Sequence, residues 1–161
     1  MRRTRASSAP MYKRKPPDER LETDARVRKG TETTAIVYRD KKGHPTLGLF
    51  KDNDRPVDDD QARLTVRHTA AAPRVDVRFK RPGAEWRQAT SDLINGEQAT
   101  RNLDAERYRF DVVLAGTDDR VLGPVTLTLE HRTHYFAYAW GSAADGSLAL
   151  NLSTARLPAT K

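Results

Sequence analysis

The chain has 161 residues, of which 37% are hydrophobic and 32% are charged, proportions that suit one domain of ordinary size with additional polar segments. It contains no cysteine, which excludes disulfide bonds and thiol chemistry. No run approaches the roughly 20 apolar residues that a membrane-spanning helix needs. The net charge of +7 is uneven: residues 1–30 hold ten Lys/Arg and four Asp/Glu, whereas the remainder is nearly balanced.

Residues 1–30 show no hydrophobic periodicity and contain three prolines and several basic runs, which predicts a disordered basic arm. Such an arm can bind nucleic acid or an acidic surface, or it can be a solvated extension without a partner. The arm also lacks the apolar stretch of a signal peptide, so the sequence as written is expected to stay in the cytoplasm.

Residues 31–61 read as a β-hairpin followed by an acidic linker. Two short apolar runs, 33–38 and 46–49, flank the turn residues 40–43. The linker carries aspartates at 52, 54 and 58–60, and such oxygen ligands suit calcium. The spacing does not fit an EF-hand loop, because the glycine and the distal glutamate are missing, so no metal site is predicted.

The segment 62–155 alternates apolar and polar residues, the pattern of half-buried antiparallel strands. The predicted strands cover 62–68, 74–80, 107–114, 125–130, 136–140 and 148–153. Phe136, Tyr138 and Trp140 are expected in the core. Residues 91–106 lack a clear period and are expected to form a short helix or a crossover loop. These patterns predict an all-β, antiparallel, immunoglobulin-like two-sheet sandwich over 62–155, with a tail at 156–161.

An internal similarity links the hairpin to the end of the sandwich. Residues 33–50 resemble residues 133–151 as a strand–turn–strand unit, so the hairpin reads as the end of a preceding module. The alternative is that any two amphipathic hairpins look alike. The hairpin either docks on the sandwich or stays exposed through four side chains: Ile36, Tyr38, Leu47 and Leu49.

Four stretches, Ala62–His68, Ala72–Val77, Phe110–Thr117 and Tyr135–Gly141, resemble the bacterial family called domain of unknown function 4397. The resemblance spans residues 31–155. It implies a secreted or cell-envelope β-sandwich module that often occurs in tandem and has no established enzymatic activity. The chain departs from the family pattern by lacking a signal peptide. It also has Asp104–Arg107 where the family has a Pro/Gly-containing turn.

Three residues are candidate binding residues, each with a structural alternative. His68 ends a predicted strand and either lines a loop rim or fixes the following turn through a backbone hydrogen bond. Asp76 either contributes to a site or forms a cross-strand ion pair with a neighbouring arginine. Trp86 lies among polar residues and is expected to be a surface aromatic or a half-buried edge residue.

The remaining motifs do not predict a catalytic site or a metal site. His131 and His134 are three apart, which places them on opposite faces of a strand, so we expect solvated strand ends rather than a metal site. No nucleophile motif or glycine-rich phosphate loop is present. The ending Leu157–Lys161 resembles a sortase signal with lysine in place of glycine, and we interpret it as coincidence.

The sequence therefore predicts no catalytic residues, no cofactor and no enzyme. It favours a module that binds a protein or glycan through surface contacts at the cell exterior. The alternative is a cytoplasmic protein that binds nucleic acid through residues 1–30.

Overall fold

The structure is a computed structural model that describes residues 21–26 and 28–159. Most of the predicted basic arm, residues 1–20 and 27, lies outside the described residues. The regular structure of the described chain is entirely β, and no part of it forms an apolar helix of bilayer-crossing length. The ten strands are β1 (Thr33–Arg39), β2 (Pro45–Lys51), β3 (Gln61–His68), β4 (Val75–Lys80), β5 (Arg87–Leu93), β6 (Gln98–Asp104), β7 (Arg107–Leu114), β8 (Arg120–Thr128), β9 (Thr133–Trp140) and β10 (Ala149–Arg156).

Eight strands form two facing sheets, which confirms the predicted immunoglobulin-like sandwich. Sheet 1 has the order β10-β9-β3-β6, and sheet 2 has the order β5-β4-β7-β8. The chain passes back and forth between the sheets, so that β6 returns beside β3 and β7 returns beside β4. Neighbouring strands are antiparallel except for β3 and β9, which run parallel because both enter sheet 1 at the same end.

The core lies between the sheets and is made by the alternating apolar residues of the central strands. Ala62, Leu64 and Val66 of β3 face Val75, Val77 and Phe79 of β4, as the alternation predicted. Tyr108 of β7 packs edge-on to Phe79, with ring centroids 5.7 Å apart. These inner faces are built mainly from branched and aromatic apolar side chains, and removing them from water stabilises the fold.

The expectation of a helix or loop at 91–106 is wrong, since this segment holds the end of β5 and all of β6. β6 is an edge strand whose apolar core residues are Ala99 and Leu103. Its other side chains are polar on both faces, which hides the two-residue period. The connection from β6 to β7 needs no glycine, because it crosses between sheets and no residue of 104–107 has a positive φ.

The orientation of β9 also differs from the expectation. Tyr135 and Ala139 are buried against the core, whereas Phe136, Tyr138 and Trp140 lie on the outer face of sheet 1. Small alanines fit the space opposite sheet 2. The large aromatic residues instead meet the β1–β2 hairpin and the linker, which cover part of the outer face.

The β1–β2 hairpin docks on the sandwich, as one of the two expected outcomes. Phe50 is buried, Tyr38 is half-buried, and Asn95 in the β5–β6 turn donates a hydrogen bond to the Arg39 carbonyl at 3.0 Å. The four predicted docking residues are split between the two faces: Ile36 is half-buried on the face of Tyr38 and Phe50, whereas Leu49 is exposed on the other.

The two hairpins that resemble each other in sequence differ in their turns. Five residues, 40–44, connect β1 to β2, whereas eight residues, 141–148, connect β9 to β10. Tyr38 pairs with Thr46, but Tyr138 pairs with Asn151. Leu148, expected in a strand, therefore lies in the turn.

Gly96 allows the hairpin to approach the β5–β6 turn closely. It has a φ of +88°, and a Cβ atom there would lie 2.6 Å from the Tyr38 hydroxyl oxygen. We expect Gly96→Ala to lower the free energy of unfolding by about 2–3 kcal/mol, through backbone strain and displacement of Tyr38. Denaturant titration measures the loss.

Gly83→Ala is the matched control, because Gly83 has a similar φ of +75° but open space around it. It should cost only the backbone strain, about 1 kcal/mol. Equal losses of the free energy of unfolding in the two variants would show that docking of the hairpin does not depend on its close approach to Gly96.

Candidate functional site

A buried polar cluster joins the linker and hairpin to sheet 1. Arg67 of β3 is 0% exposed, and its guanidinium forms an ion pair with Asp52 directly after β2. It also donates hydrogen bonds to Gln98 at 3.0 Å and to the Tyr138 hydroxyl at 2.9 Å. Its guanidinium carbon lies 5.0–5.3 Å from three ring centroids, those of Phe50, Phe136 and Tyr138.

Arg63, four residues before Arg67 in β3, binds backbone carbonyl groups of the linker. Its guanidinium donates to the carbonyl oxygens of Asn53 at 2.9 Å and Arg55 at 2.6 Å, and to the Asn102 side chain at 3.1 Å. These bonds satisfy linker carbonyls that no sheet partner reaches. Both faces of β3 are consequently buried, although its polar face had been expected to be wet.

His134 belongs to the same covered face and is buried rather than solvated at a strand end. Its ring stacks on Phe136 with centroids 3.8 Å apart, and its Nε2 is hydrogen-bonded to the Thr65 hydroxyl at 2.7 Å. Burial, reinforced by the nearby Arg63 guanidinium, lowers the pKa of His134 to about 4. The imidazole is therefore neutral at physiological pH.

These buried groups fix the position of the hairpin and leave a cleft beside it. The cleft, here called the aromatic cleft, lies between the hairpin and the β9–β10 hairpin and has a volume of about 760 Å³. Its walls include Tyr38 from β1 and both Tyr138 and Trp140 from β9. Trp140 is 51% exposed, an unusual state for an indole on a regular strand.

Polar side chains border the aromatic cleft. Asp145 and Ser147 of the β9–β10 turn, Asn151 of β10 and Arg39 of β1 all line it. The Ser147 hydroxyl and backbone N–H both donate to Asp145, at 2.5 and 3.0 Å, and these bonds hold the pKa of Asp145 below its usual range. The cleft thus combines exposed aromatic faces with a carboxylate, a hydroxyl, an amide and a guanidinium.

His68 lies outside this cleft, on the core side of sheet 1. It is 1% exposed, and its Nε2 donates to the Pro73 carbonyl at 2.9 Å, which spans the loop between β3 and β4. Nδ1 has no hydrogen-bond partner in the described structure. Burial lowers the pKa of His68 despite the bond to Pro73. The geometry matches the turn-fixing alternative and gives the ring no access to a ligand.

Asp76 forms no cross-strand ion pair, contrary to that expectation. It is 7% exposed, and its carboxylate accepts hydrogen bonds from the backbone N–H groups of Asp92 at 2.8 Å and Gly116 at 3.0 Å. Asp92 has a φ of +54°, a strained conformation that this bond stabilises. Asp76 therefore ties the irregular end of β5 to the β7–β8 turn.

Trp86 lies on the outer face of sheet 2 and is half-buried. The cationic groups of Arg78, Lys80 and Arg120 lie 4.9–6.0 Å from its ring centroid. Beneath it, the buried Asp111 accepts hydrogen bonds from both arginines at 2.9–3.0 Å. Burial would raise the pKa of Asp111, but these bonds outweigh it and lower the pKa. The ring is covered by side chains and offers less surface than Trp140.

The three predicted candidates do not meet in one site: His68 and Asp76 are buried supports in sheet 1 and sheet 2 respectively, and Trp86 lies over the outer face of sheet 2. Within the described residues no three His, Asp or Glu side chains are grouped to hold a metal ion. In the linker, Asp52 is engaged by Arg67.

No protein-family model matches the sequence, and no curated protein is significantly similar to it.

Sequence reasoning missed the aromatic cleft because it assigned Tyr138 and Trp140 to the core. One available signal was that Tyr135, Ala137 and Ala139 form an equally regular alternating set in the same strand.

Proposed function

We propose that the protein is a non-enzymatic recognition module of the bacterial envelope or exterior, and that the aromatic cleft binds carbohydrate. The observation that carries the proposal is the half-exposed Trp140 beside Tyr138 and Tyr38 in a cleft of about 760 Å³. A pyranose ring presents a patch of C–H groups on one face and hydroxyls at its edge. Aromatic faces bordered by polar side chains suit both features.

The rigidity of the cleft also supports binding. Tyr138 is tied to the buried Arg67 by a hydrogen bond, and Trp140 stands two residues later on the same strand. Tyr38 is fixed against Gly96. Side chains that are already ordered lose little entropy on binding, so a modest contact area can give useful affinity.

The position at the cell exterior rests on the resemblance to the domain of unknown function 4397 family. Separating native cells into cytoplasm, cell wall and medium, with intact-mass measurement of each fraction, tests it. Protein outside the cell supports the proposal, and protein confined to the cytoplasm contradicts this part of it.

Trp140→Ala tests the cleft. Isothermal titration of the full chain against soluble chito-, cello- and xylo-oligosaccharides and a muramyl peptidoglycan fragment should identify at least one ligand. Removing the indole should raise the dissociation constant of that ligand about tenfold or more, because the stacking surface of Trp140 is lost.

Trp86→Ala is the matched control, since the chain has two tryptophans and Trp86 lies on the other sheet. It should leave the affinity unchanged. Equal losses in both variants, or no binding to any of these sugars, would contradict the proposal.

The charge asymmetry of the sequence favours a second candidate, a cytoplasmic protein that binds nucleic acid through residues 1–30. It requires affinity for a DNA or RNA duplex that falls steeply with salt and disappears when residues 1–30 are deleted. Equal binding by residues 31–161 alone would exclude it.

A further inference from the structure

The four edge strands of the sandwich are not equally protected against pairing with another strand. β5 and β8 are interrupted by register shifts, and β8 also contains Pro124. β6 carries Arg101, whose guanidinium reaches across to carbonyl oxygens of β5 at 3.2–3.3 Å. Bulges, prolines and charges are the usual means of preventing edge-to-edge association.

β10 has none of these protections before Arg156, its last residue. It pairs with β9 over eight residues without a register shift, and its residues 149–155 include no charge and no proline. Ala149 is half-buried and the other seven residues are exposed. A long, uncharged, regular edge is a template for another strand.

The hydrogen-bonding groups that point outward from β10 can be identified. The Ala139 carbonyl accepts from Thr69, so Ala139 faces β3, and the alternate residues of β9 face β10. Their partners in β10 have odd numbers. Leu150, Leu152 and Thr154 therefore direct their backbone N–H and C=O groups to the free edge.

The side chains of the same residues border an open apolar groove. On the core side, Leu150 is 37% and Leu152 is 43% exposed, and across the gap Val125 of β8 is 44% exposed. The cavity between them, about 190 Å³, reaches Leu64 and Val66 in the core. The opposite side of the sandwich is bridged by Arg101, so the sandwich is open at β8 and β10.

We propose that β10 pairs antiparallel with β10 of a second copy of this chain, forming a two-fold symmetric dimer with one continuous eight-stranded sheet. A two-fold axis perpendicular to sheet 1 keeps core-side residues on the core side in both copies. A register centred on Leu152 places the two Leu152 side chains opposite each other and each Leu150 opposite a Thr154.

A second copy fits this edge because the edge is self-complementary. On the core side the register pairs Leu152 with Leu152 and Leu150 with Thr154, and the charged residue of the strand, Arg156, lies opposite Leu148 rather than opposite its own image. The two apolar grooves then face each other across the axis, and the leucines that border them leave water. The proposal does not depend on the ligand of the aromatic cleft.

Thr154→Pro tests the pairing. Proline removes an outward N–H, and its ring obstructs the neighbouring strand, while the bonds to β9 come from the odd-numbered residues. In sedimentation velocity, the full-length wild type should form a species of twice 18.1 kDa. Thr154→Pro should raise the dimer dissociation constant about tenfold or more. Thr154→Ala, which keeps the N–H, should remain dimeric.

Leu152→Lys keeps the test decisive if the proline variant fails to fold. A lysine there places like charges opposite each other at the axis and should give a monomer. Ile94→Lys is its control, because Ile94 is 40% exposed, nearly the same as Leu152, but lies in the β5–β6 turn at the other side of the sandwich, and this variant should remain dimeric. A monomeric wild type, or a wild-type dimer that folded Thr154→Pro and Leu152→Lys leave intact, would overturn the proposal.

Discussion

Replacing Asp52 by alanine is expected to lower the free energy of unfolding by about 3–5 kcal/mol, because it leaves the charge of a buried arginine uncompensated. Arg67 is 0% exposed, and Asp52 is its only acidic partner among the described residues. The chain can escape this cost only by releasing the hairpin, which would expose Phe50 and the aromatic residues of β9. Denaturant titration measures the loss, and limited proteolysis within residues 31–57 detects release.

An exposed ion pair of the same composition provides the control. Asp104 pairs with Arg81, and both side chains are about half exposed, so Asp104→Ala should cost no more than about 1 kcal/mol. Replacing both buried partners, as Asp52→Leu with Arg67→Met, should recover much of the stability, because no buried charge is then left alone. Equal losses for Asp52→Ala and Asp104→Ala would show that Arg67 is not buried in solution.

The sandwich was predictable because its core strands obey a simple physical rule. In β3, β4 and β7 the inward positions hold mainly apolar side chains, and the outward positions, apart from Val113, hold polar ones. Only an extended strand places such a pattern on two faces. β6 escaped the prediction because it gives only two apolar residues to the core, Ala99 and Leu103, and the inward position between them holds Arg101, which interrupts the period.

The covered outer face was not predictable from alternation. A polar residue in an alternating strand can be exposed to water. It can equally be buried against a hydrogen-bonding partner from elsewhere in the chain. Arg63, Thr65 and Arg67 look like a solvent-facing set, yet each is less than 5% exposed. Their partners include residues 8 to 15 positions away in the linker and about 70 positions away in β9, distances that local patterns do not encode.

The aromatic cleft was missed for a related reason. β9 carries large residues on one face and Tyr135, Ala137 and Ala139 on the other, so size alone suggested the wrong face for the core. In the structure the set with the smaller residues, Tyr135, Ala137 and Ala139, is the one that faces the core. Tyr138 and Trp140 remain outside, where the docked hairpin turns them into the walls of a cleft.

Lowering the pH from neutral to about 4 is expected to destabilise the fold through His134. Burial lowers the pKa of His134 to about 4, whereas an unfolded chain titrates at the ordinary value of 6.5. Between pH 6.5 and 4 the imidazole of His134 therefore binds a proton in the unfolded state but not in the folded state. The contribution of neutral His134 to the free energy of unfolding is fully present above pH 6.5. It is lost as the pH falls from 6.5 to 4, and the loss at pH 4 is roughly 3 kcal/mol.

His134→Gln tests this origin, because glutamine keeps a hydrogen-bonding group near Thr65 but does not titrate. Between pH 6.5 and 4 its free energy of unfolding should fall less steeply than that of the wild type. A residual slope is expected from His68, whose pKa is also lowered by burial. His131→Gln is the control, because His131 is exposed and its replacement should leave the wild-type slope. Parallel profiles for wild type and His134→Gln would mean that water reaches the face beneath the hairpin. The hairpin would then not be held on sheet 1 as the Arg67 cluster requires.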